Sequence, residues 1–350
     1  MNQLAREQVA HLVIRACEKA AAAGELPGAV WPSPTVEFCG DPGRGDLTTP
    51  FCLAAAGVAG MAPRPFADIL LPYMDLKDSC FTAVAAAGPG YLNFRLGDKW
   101  YADTLRTVEQ EGERYGFCDE LAGQTVSIQL TGDTSWGTNL RRDVVLAALT
   151  NLLIRCGAGV ARDTAANNYV NHVTVPVAAC QLRRGGQPVD KALPLSALPA
   201  DAVGFLLSAR PDRAVTVDLE QASREDRSNP FYCARYIHRR MGSLLQRAER
   251  QGYSLPHADD ADLSALQSET GRLLIRLLAC YPDVVVSAAR TRNPGAVAAY
   301  LAELSDALWS FYQEYRSVDF SPPAPSSCRV LADAGRAVMG SVLTLLGIRI

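Results

Sequence analysis

The folds open to this chain are limited most by one stretch in its middle. Val126 to Leu130 alternates apolar and polar residues as a strand does, Thr131 to Asn139 is a polar turn containing Gly132 and Gly137, and Val144 to Ile154 is a strongly apolar helix. Such a unit opens a parallel sheet, whose strands need helical cover on both faces. His172 to Val177 offers a second buried strand, yet from there to about Asp218 the sequence supplies only short segments broken by Gly and Pro. A complete doubly wound sheet does not fit in that span. The middle is expected to hold a reduced, Rossmann-like α/β remnant.

With 350 residues, the chain is too long for one ordinary core. Before the middle, Leu4, Val9, Leu12, Val13, Ala16, Cys17 and Ala20 recur at helical spacing, and Gly24 and Pro27 close the run. Trp31 to Pro34 is a rigid connection, Val36 to Phe38 a short strand, Gly40 to Asp46 a glycine-rich turn, and Ala85 to Leu96 a stretch of alternating apolar positions. From Pro230 onward the pattern is helical, with segments Phe231 to Arg250, Leu263 to Cys280, Pro294 to Tyr315 and Ser327 to Leu346, and with Phe320 to Ser327 as a linker. The expected fold is α/β plus all-α. A small α/β domain occupies residues 1–117, the reduced layer residues 118–222, and a helical bundle residues 223–350.

A formal charge of -3 gives no global basic field, so contact with nucleic acid would need local patches. The ten cysteines lie singly, with no CxxC pair and no histidine cluster beside them, which reads as reduced, mostly buried thiols and no metal site. Arg6, Glu7, Arg15 and Glu18 interrupt the apolar positions of the N-terminus, as a signal sequence would not allow. No apolar run approaches the ~18 residues of a membrane span. A cytoplasmic protein without membrane contact is the expectation.

Four stretches, in order, resemble arginyl-tRNA synthetase. Asp41, Pro42, Gly43, Arg44, Gly45 and Asp46, followed by Gly88 to Leu96 (GPGYLNFRL), resemble that family's N-terminal domain, which touches the tRNA elbow. The resemblance implies that Tyr91 stacks on an unpaired base and Asn93 reads its edge. On residue type alone, Tyr91 reads rather as a core aromatic, and Gly43 and Gly45 as residues that merely permit a turn; the resemblance reverses this for Asn93 only. Val126 to Val160 resembles the start of the ATP-binding domain, and in a gapless alignment its "HVGH" signature falls on Trp136, Gly137, Thr138 and Asn139.

In the family, the two signature histidines stabilise ATP phosphate oxygens at a helix N-terminus. Trp136 has no equivalent donor and Asn139 only a neutral amide. Each preorganised donor is worth roughly 10²–10³ in rate, so no catalytic residue is assigned here. The other histidines are His11, His172, His238 and His257, none of them local. Arg141 and Arg142 remain open as an anion grip or a solvated surface. Arg183, Arg184, Gly185 and Gly186 resemble the tail of the "KMSKRxG" loop, with Cys180, Gln181 and Leu182 in its leading positions. Asn139 to Arg183 is too short an interval for the remainder of a nucleotide-binding sheet.

Asn229 to Arg240 (NPFYCARYIHRR) resembles the helix that opens the family's DALR anticodon-binding domain, and Tyr281 to Val285, Tyr300 to Tyr312 and Leu343 to Ile348 continue the match. By that resemblance Tyr236 and Arg240 touch the anticodon arm, with Arg239 on the same surface. Tyr236, Leu244 and Ala248 equally suit the core face of an amphipathic helix. The resemblance implies a non-catalytic paralogue with a truncated catalytic domain that binds tRNA, with tRNA-Arg the candidate. It would act as adaptor, chaperone or regulator, with a tRNA-modifying or translation protein as partner and no cofactor. Two alternatives stay open: an arginine-tRNA ligase using ATP, and a protein-protein scaffold, because aromatic and arginine side chains suit protein interfaces as well as bases.

Overall fold

The structure, a computed structural model, describes residues 2–39, 42–161, 170–189, 191–261, 266, 268–315 and 325–350. Gly40 and Asp41 of the expected turn, the expected helix start at Leu263, and most of the expected linker lie outside the described residues. The chain forms two compact units, Met1–Thr104 and Leu105–Ile350.

In the first unit, helix α1 (Asn2–Ala22) buries Ala5, Val9, Val13, Ala16, Cys17 and Ala20, the stripe that a 3.6-residue period puts on one face. Strands β1 (Glu37–Phe38), β2 (Leu47–Thr49), β3 (Phe81–Ala87) and β4 (Tyr91–Leu96) form an antiparallel sheet in the order β1-β2-β4-β3. Helices α2 (Phe51–Ala59) and α3 (Pro63–Leu70) lie between β2 and β3 in the chain, and α4 (Asp98–Glu111) follows β4. The alternation from Ala85 to Leu96 is two strands of one hairpin, with Ala87 opposite Tyr91. Gly88 and Gly90, at φ +51° and +139°, allow the reversal, and a Cβ on Gly90 would sit 2.7 Å from Pro63.

Asp46 fixes this hairpin. Its buried carboxylate accepts from the Leu96 N–H at 2.8 Å and from the Tyr101 hydroxyl at 2.9 Å, which ties the end of β4 to α4.

In the second unit, β5 (Thr125–Gly132) lies between β6 (Gly159–Val160) and β7 (Val170–Val177), all parallel. Helix α5 (Trp136–Arg155) follows β5. A second sheet holds β8 (Cys180–Arg184), β9 (Gln187–Pro188) and β10 (Val215–Asp218) in the order β10-β8-β9, with helices α6 (Ala202–Leu207) and α7 (Leu219–Ala222) beside it in sequence. The middle is thus two three-stranded sheets in place of one doubly wound sheet.

Four long helices complete the unit: α8 (Pro230–Arg250), α9 (Glu269–Thr291), α10 (Pro294–Tyr315) and α11 (Ser326–Leu346). Asn229 caps α8, its side-chain oxygen accepting from the N–H groups of Phe231 and Tyr232, with Pro230 at the first helical position. Helix α9 departs from the sequence expectation, since it does not stop at Cys280 but runs through Pro282 to Thr291. A proline removes one N–H and so leaves the carbonyl four residues earlier without its helical donor. Here that carbonyl belongs to Leu278, and the buried Tyr115 hydroxyl donates to it at 2.9 Å. The neighbouring Leu277 carbonyl accepts from the Tyr300 hydroxyl, also at 2.9 Å.

This substitution of a hydroxyl for a backbone amide is testable. Tyr115→Phe should lower the free energy of urea unfolding by about 1–3 kcal/mol, the cost of an unsatisfied buried acceptor. Pro282→Ala, which restores an N–H to the helix, should recover most of that loss in the double variant; strictly additive effects would contradict the account.

Candidate nucleic-acid interface

The turn from β5 into α5 carries the positions expected to hold a degenerate nucleotide motif. Trp136 begins the helix and is half-buried, Gly137 and Thr138 are buried, and Asn139 is exposed. The Thr138 hydroxyl donates to Asp133 Oδ2 at 3.1 Å and lies 2.8 Å from Ser135 Oγ, while the Asn139 amide donates to the Thr134 carbonyl. Hydrogen bonds from Ser135 and then Thr138 hold the Asp133 carboxyl below the usual carboxylate range. The positive end of the α5 dipole therefore faces an acidic side chain of the chain's own. His172 pairs with Ser127 near the opposite end of β5, roughly 15 Å along the strand from the turn.

The stretches expected to carry the two ATP motifs meet at one point. The Cys180 N–H donates to Thr138 Oγ1 at 3.0 Å, and a Cβ on Gly137 would fall 2.6 Å from the Cys180 carbonyl. Gly137 is thus explained by the close approach of α5 to β8. Arg183 and Arg184 are exposed and lead into a β8–β9 turn whose Gly185 and Gly186 both have positive φ.

Arg141 is neither an anion grip nor a solvated residue. It is fully buried, and its guanidinium donates to the carbonyls of Ala178, Leu206, Ala209, Arg210 and Arg213 at 2.6–3.2 Å. Burial pushes its pKa down, as desolvation of a cation must. Its donors are taken up by the fold. Arg142 donates to the Leu130 carbonyl at 2.7 Å and so braces the same turn.

In the first unit, Tyr91 and Asn93 stand two residues apart on β4 and share one face of the sheet. They line a cavity of 370 Å³ with Cys39, Arg44, Thr48 and the Gly88–Pro89 turn. Tyr91 is 38% exposed and so is not a core aromatic, whereas Asn93 is buried and accepts from the Thr48 hydroxyl at 2.7 Å. An open aromatic face beside a held amide is suited to taking a flat, hydrogen-bonding ring.

The bundle carries a larger aromatic surface. On α8 the rings of Tyr232 and Tyr236 lie 5.9 Å apart; Tyr236 lies 5.4 Å from Trp309 on α10, and Trp309 lies 6.3 Å from Tyr312. All four are half-buried. Guanidinium groups lie over two of these rings, Arg227 at 5.2 Å from the Trp309 ring centroid and Arg240 at 5.7 Å from that of Tyr312, the end of the strip. Arg240 Nε donates to the Tyr312 hydroxyl at 3.0 Å, and Arg239 is exposed beside it. The sequence reading found Tyr236, Arg239 and Arg240 but missed Trp309 and Arg227 as members, because these come from another helix and from the loop before α8. A row of aromatic faces edged by guanidinium groups is what stacks bases and holds phosphates.

Residues 7–96 match the family described as arginyl tRNA synthetase N terminal domain, and residues 234–350 match the DALR anticodon binding domain. The chain is arginyl-tRNA synthetase-like. Among its curated relatives, an arginine-tRNA ligase of Acetivibrio thermocellus is 31% identical over 173 residues, which is 48% of this chain and 30% of the relative. That of Salinibacter ruber is 36% identical over 144 residues, 41% of this chain and 25% of the relative. The matched part of this synthetase-like chain therefore spans less than a third of those enzymes. In fold it is similar to Thermus thermophilus arginyl-tRNA synthetase, with a TM-score of 0.67 at 12% identity over 97% of this chain and 98% of that one. It is also similar to the Plasmodium falciparum enzyme, with a TM-score of 0.71 at 7% identity over 99% and 98%.

Among the described residues, no group of His, Cys, Asp or Glu is arranged to hold a metal ion, and no helix is long and apolar enough to cross a membrane.

The role of Arg141 predicts a large stability effect with no ligand present. Arg141→Met leaves five carbonyls without their shared donor and should reduce unfolding free energy by at least about 3 kcal/mol, read from urea melts. Arg141→Lys, with a single ammonium, should recover only part of it. A loss below about 1 kcal/mol would mean that water replaces the guanidinium at little cost.

Proposed function

We propose that this chain binds tRNA and does not aminoacylate it, with tRNA-Arg as its ligand. The observation that carries the reading is a contrast within the second unit. The aromatic and guanidinium strip of α8 and α10 is intact and accessible, while the α5 start has no imidazole donor and is met by Asp133. On this reading Tyr236, Trp309 and Tyr312 stack bases of the anticodon arm, Arg227, Arg239 and Arg240 hold its phosphates, and Tyr91 and Asn93 take a base of the tRNA elbow. The functional parts are residues 1–117 and 223–350, joined by a non-catalytic stretch at 118–222 that needs no ATP or other cofactor. The chain then works in the cytoplasm as an adaptor, chaperone or regulator, handing tRNA to a modifying or translation protein.

Binding to tRNA and to an unrelated folded RNA of equal length, compared at moderate salt, tests this directly, because phosphate contacts alone do not discriminate between them. Trp309→Ala and Tyr236→Ala should each weaken tRNA binding roughly 5- to 100-fold, the worth of about 1–3 kcal/mol per stacked base. Arg239→Ala should lower the slope of log affinity against log salt by roughly one unit. Equal affinity for both RNAs, or full binding by the Tyr236→Ala, Arg240→Ala double variant, would remove the proposal.

A second reading, an arginine-tRNA ligase, draws on the names of the matched relatives. Arginine- and ATP-dependent charging of tRNA by the purified chain above background would establish it. A third, a scaffold, draws on the 880 Å³ groove beside α5, where Leu146 and Ile154 are exposed at 38% and 51%. It predicts that Leu146→Asp and Ile154→Asp weaken a protein complex and leave tRNA binding unchanged.

A further inference from the structure

Two of the ten cysteines are held together by backbone pairing. The Cys118 N–H donates to the Arg155 carbonyl at 3.0 Å, and the Leu121 N–H to the Cys156 carbonyl at 2.8 Å, so residues 118–121 are fastened to the C-terminal end of α5. Gly157, at φ +87°, permits the close approach, since a Cβ there would lie 3.3 Å from the Cys118 carbonyl. The pairing brings the two thiols near enough for each to feel the charge of the other. They differ in access: Cys156 is buried, whereas Cys118 is partly exposed. Cys17 and Cys52 of the first unit also interact, but both are buried and offer an oxidant no entry.

We propose that Cys118 and Cys156 form a reversible disulfide on exposure to a small-molecule disulfide of the glutathione class. Cys118, as its thiolate, attacks one sulfur of oxidised glutathione, forms a mixed disulfide, and releases one glutathione thiolate, which takes up a proton. Cys156 then loses its proton and attacks Cys118 Sγ, expelling the second glutathione. Two protein thiols and one glutathione disulfide become one protein disulfide and two glutathione thiols. The protein loses two electrons and two protons, and glutathione gains them.

Burial, with smaller contributions from Cys118 and Glu120, pushes the Cys156 thiol up to about 12 in the reduced protein, and burial persists once Cys118 is in the mixed disulfide. Its thiolate is therefore scarce near neutral pH, and ring closure is the slower step. Below that value each unit of pH raises the thiolate fraction about tenfold, so the closure rate should rise in the same proportion. The closed ring contains both β5 and α5, so the bond restricts the unfolded chain across the whole strand, turn and helix unit.

The test treats the folded chain with oxidised glutathione, then combines peptide mapping with urea melts. The expected result is a cross-linked peptide pairing Cys118 with Cys156, a mass lower by two hydrogens, and a raised urea midpoint that reduction reverses. Cys118→Ser and Cys156→Ala should each keep the reduced fold and abolish the rise. A stable glutathione adduct on Cys118 beside a reduced Cys156 would overturn the proposal. So would a cross-link through any other pair, or a midpoint that does not move on oxidation.

Discussion

The second unit is organised around a buried cation whose hydrogen-bond acceptors are all backbone carbonyls. Arg141 draws in the carbonyl that follows β7, one from the last turn of α6, two just beyond it, and one on the approach to β10. These are the short segments that Gly and Pro prevent from forming long elements of their own. Carbonyls drawn inward from such segments need hydrogen-bond donors. One guanidinium, with its five N–H groups in a rigid fork, supplies them. The compact middle is thus possible without a full doubly wound sheet because a side chain replaces ladder hydrogen bonds that such a sheet would have made.

The same economy governs the turn from β5 into α5. Where α5 begins, Thr138 donates to Asp133 and accepts from the Cys180 N–H, while Gly137 lets β8 approach. Residues expected to form a degenerate ATP motif serve here to close the turn and dock the second sheet. On the bundle the situation is reversed. Tyr236, Trp309 and Tyr312 each leave part of a ring to solvent, although half-buried aromatics of that size would gain from full cover.

Periodic features were legible in the sequence and long-range pairings were not. Helices α1, α8, α10 and α11 follow from apolar spacing and from signals such as Asn229-Pro230. Arg141 was invisible as a buried residue because its partners are carbonyls, which leave no mark in side-chain chemistry. The hairpin inside Ala85–Leu96 was hidden because alternation continues across Gly88–Gly90. Helix α9 was cut short because Pro282 is locally a stop, and the hydroxyl that overrides it lies on Tyr115, far away in sequence. The partners of Tyr236 were missed for the same reason, as Trp309 reaches it from α10.

The replacement of a missing amide by the Tyr115 hydroxyl also sets where the chain can be divided. Gly116, at φ +86°, leaves so little room that a Cβ would collide with the Tyr281 ring, and Arg155 donates to the Tyr281 hydroxyl at 2.9 Å. Three groups from before the bundle thus complete the middle of one of its helices. A bundle excised at residue 223 would lose the hydroxyl that serves the Leu278 carbonyl and the ring that covers it. The helical bundle of this chain is in that sense not self-sufficient, and its folding is coupled to the polypeptide that precedes α8.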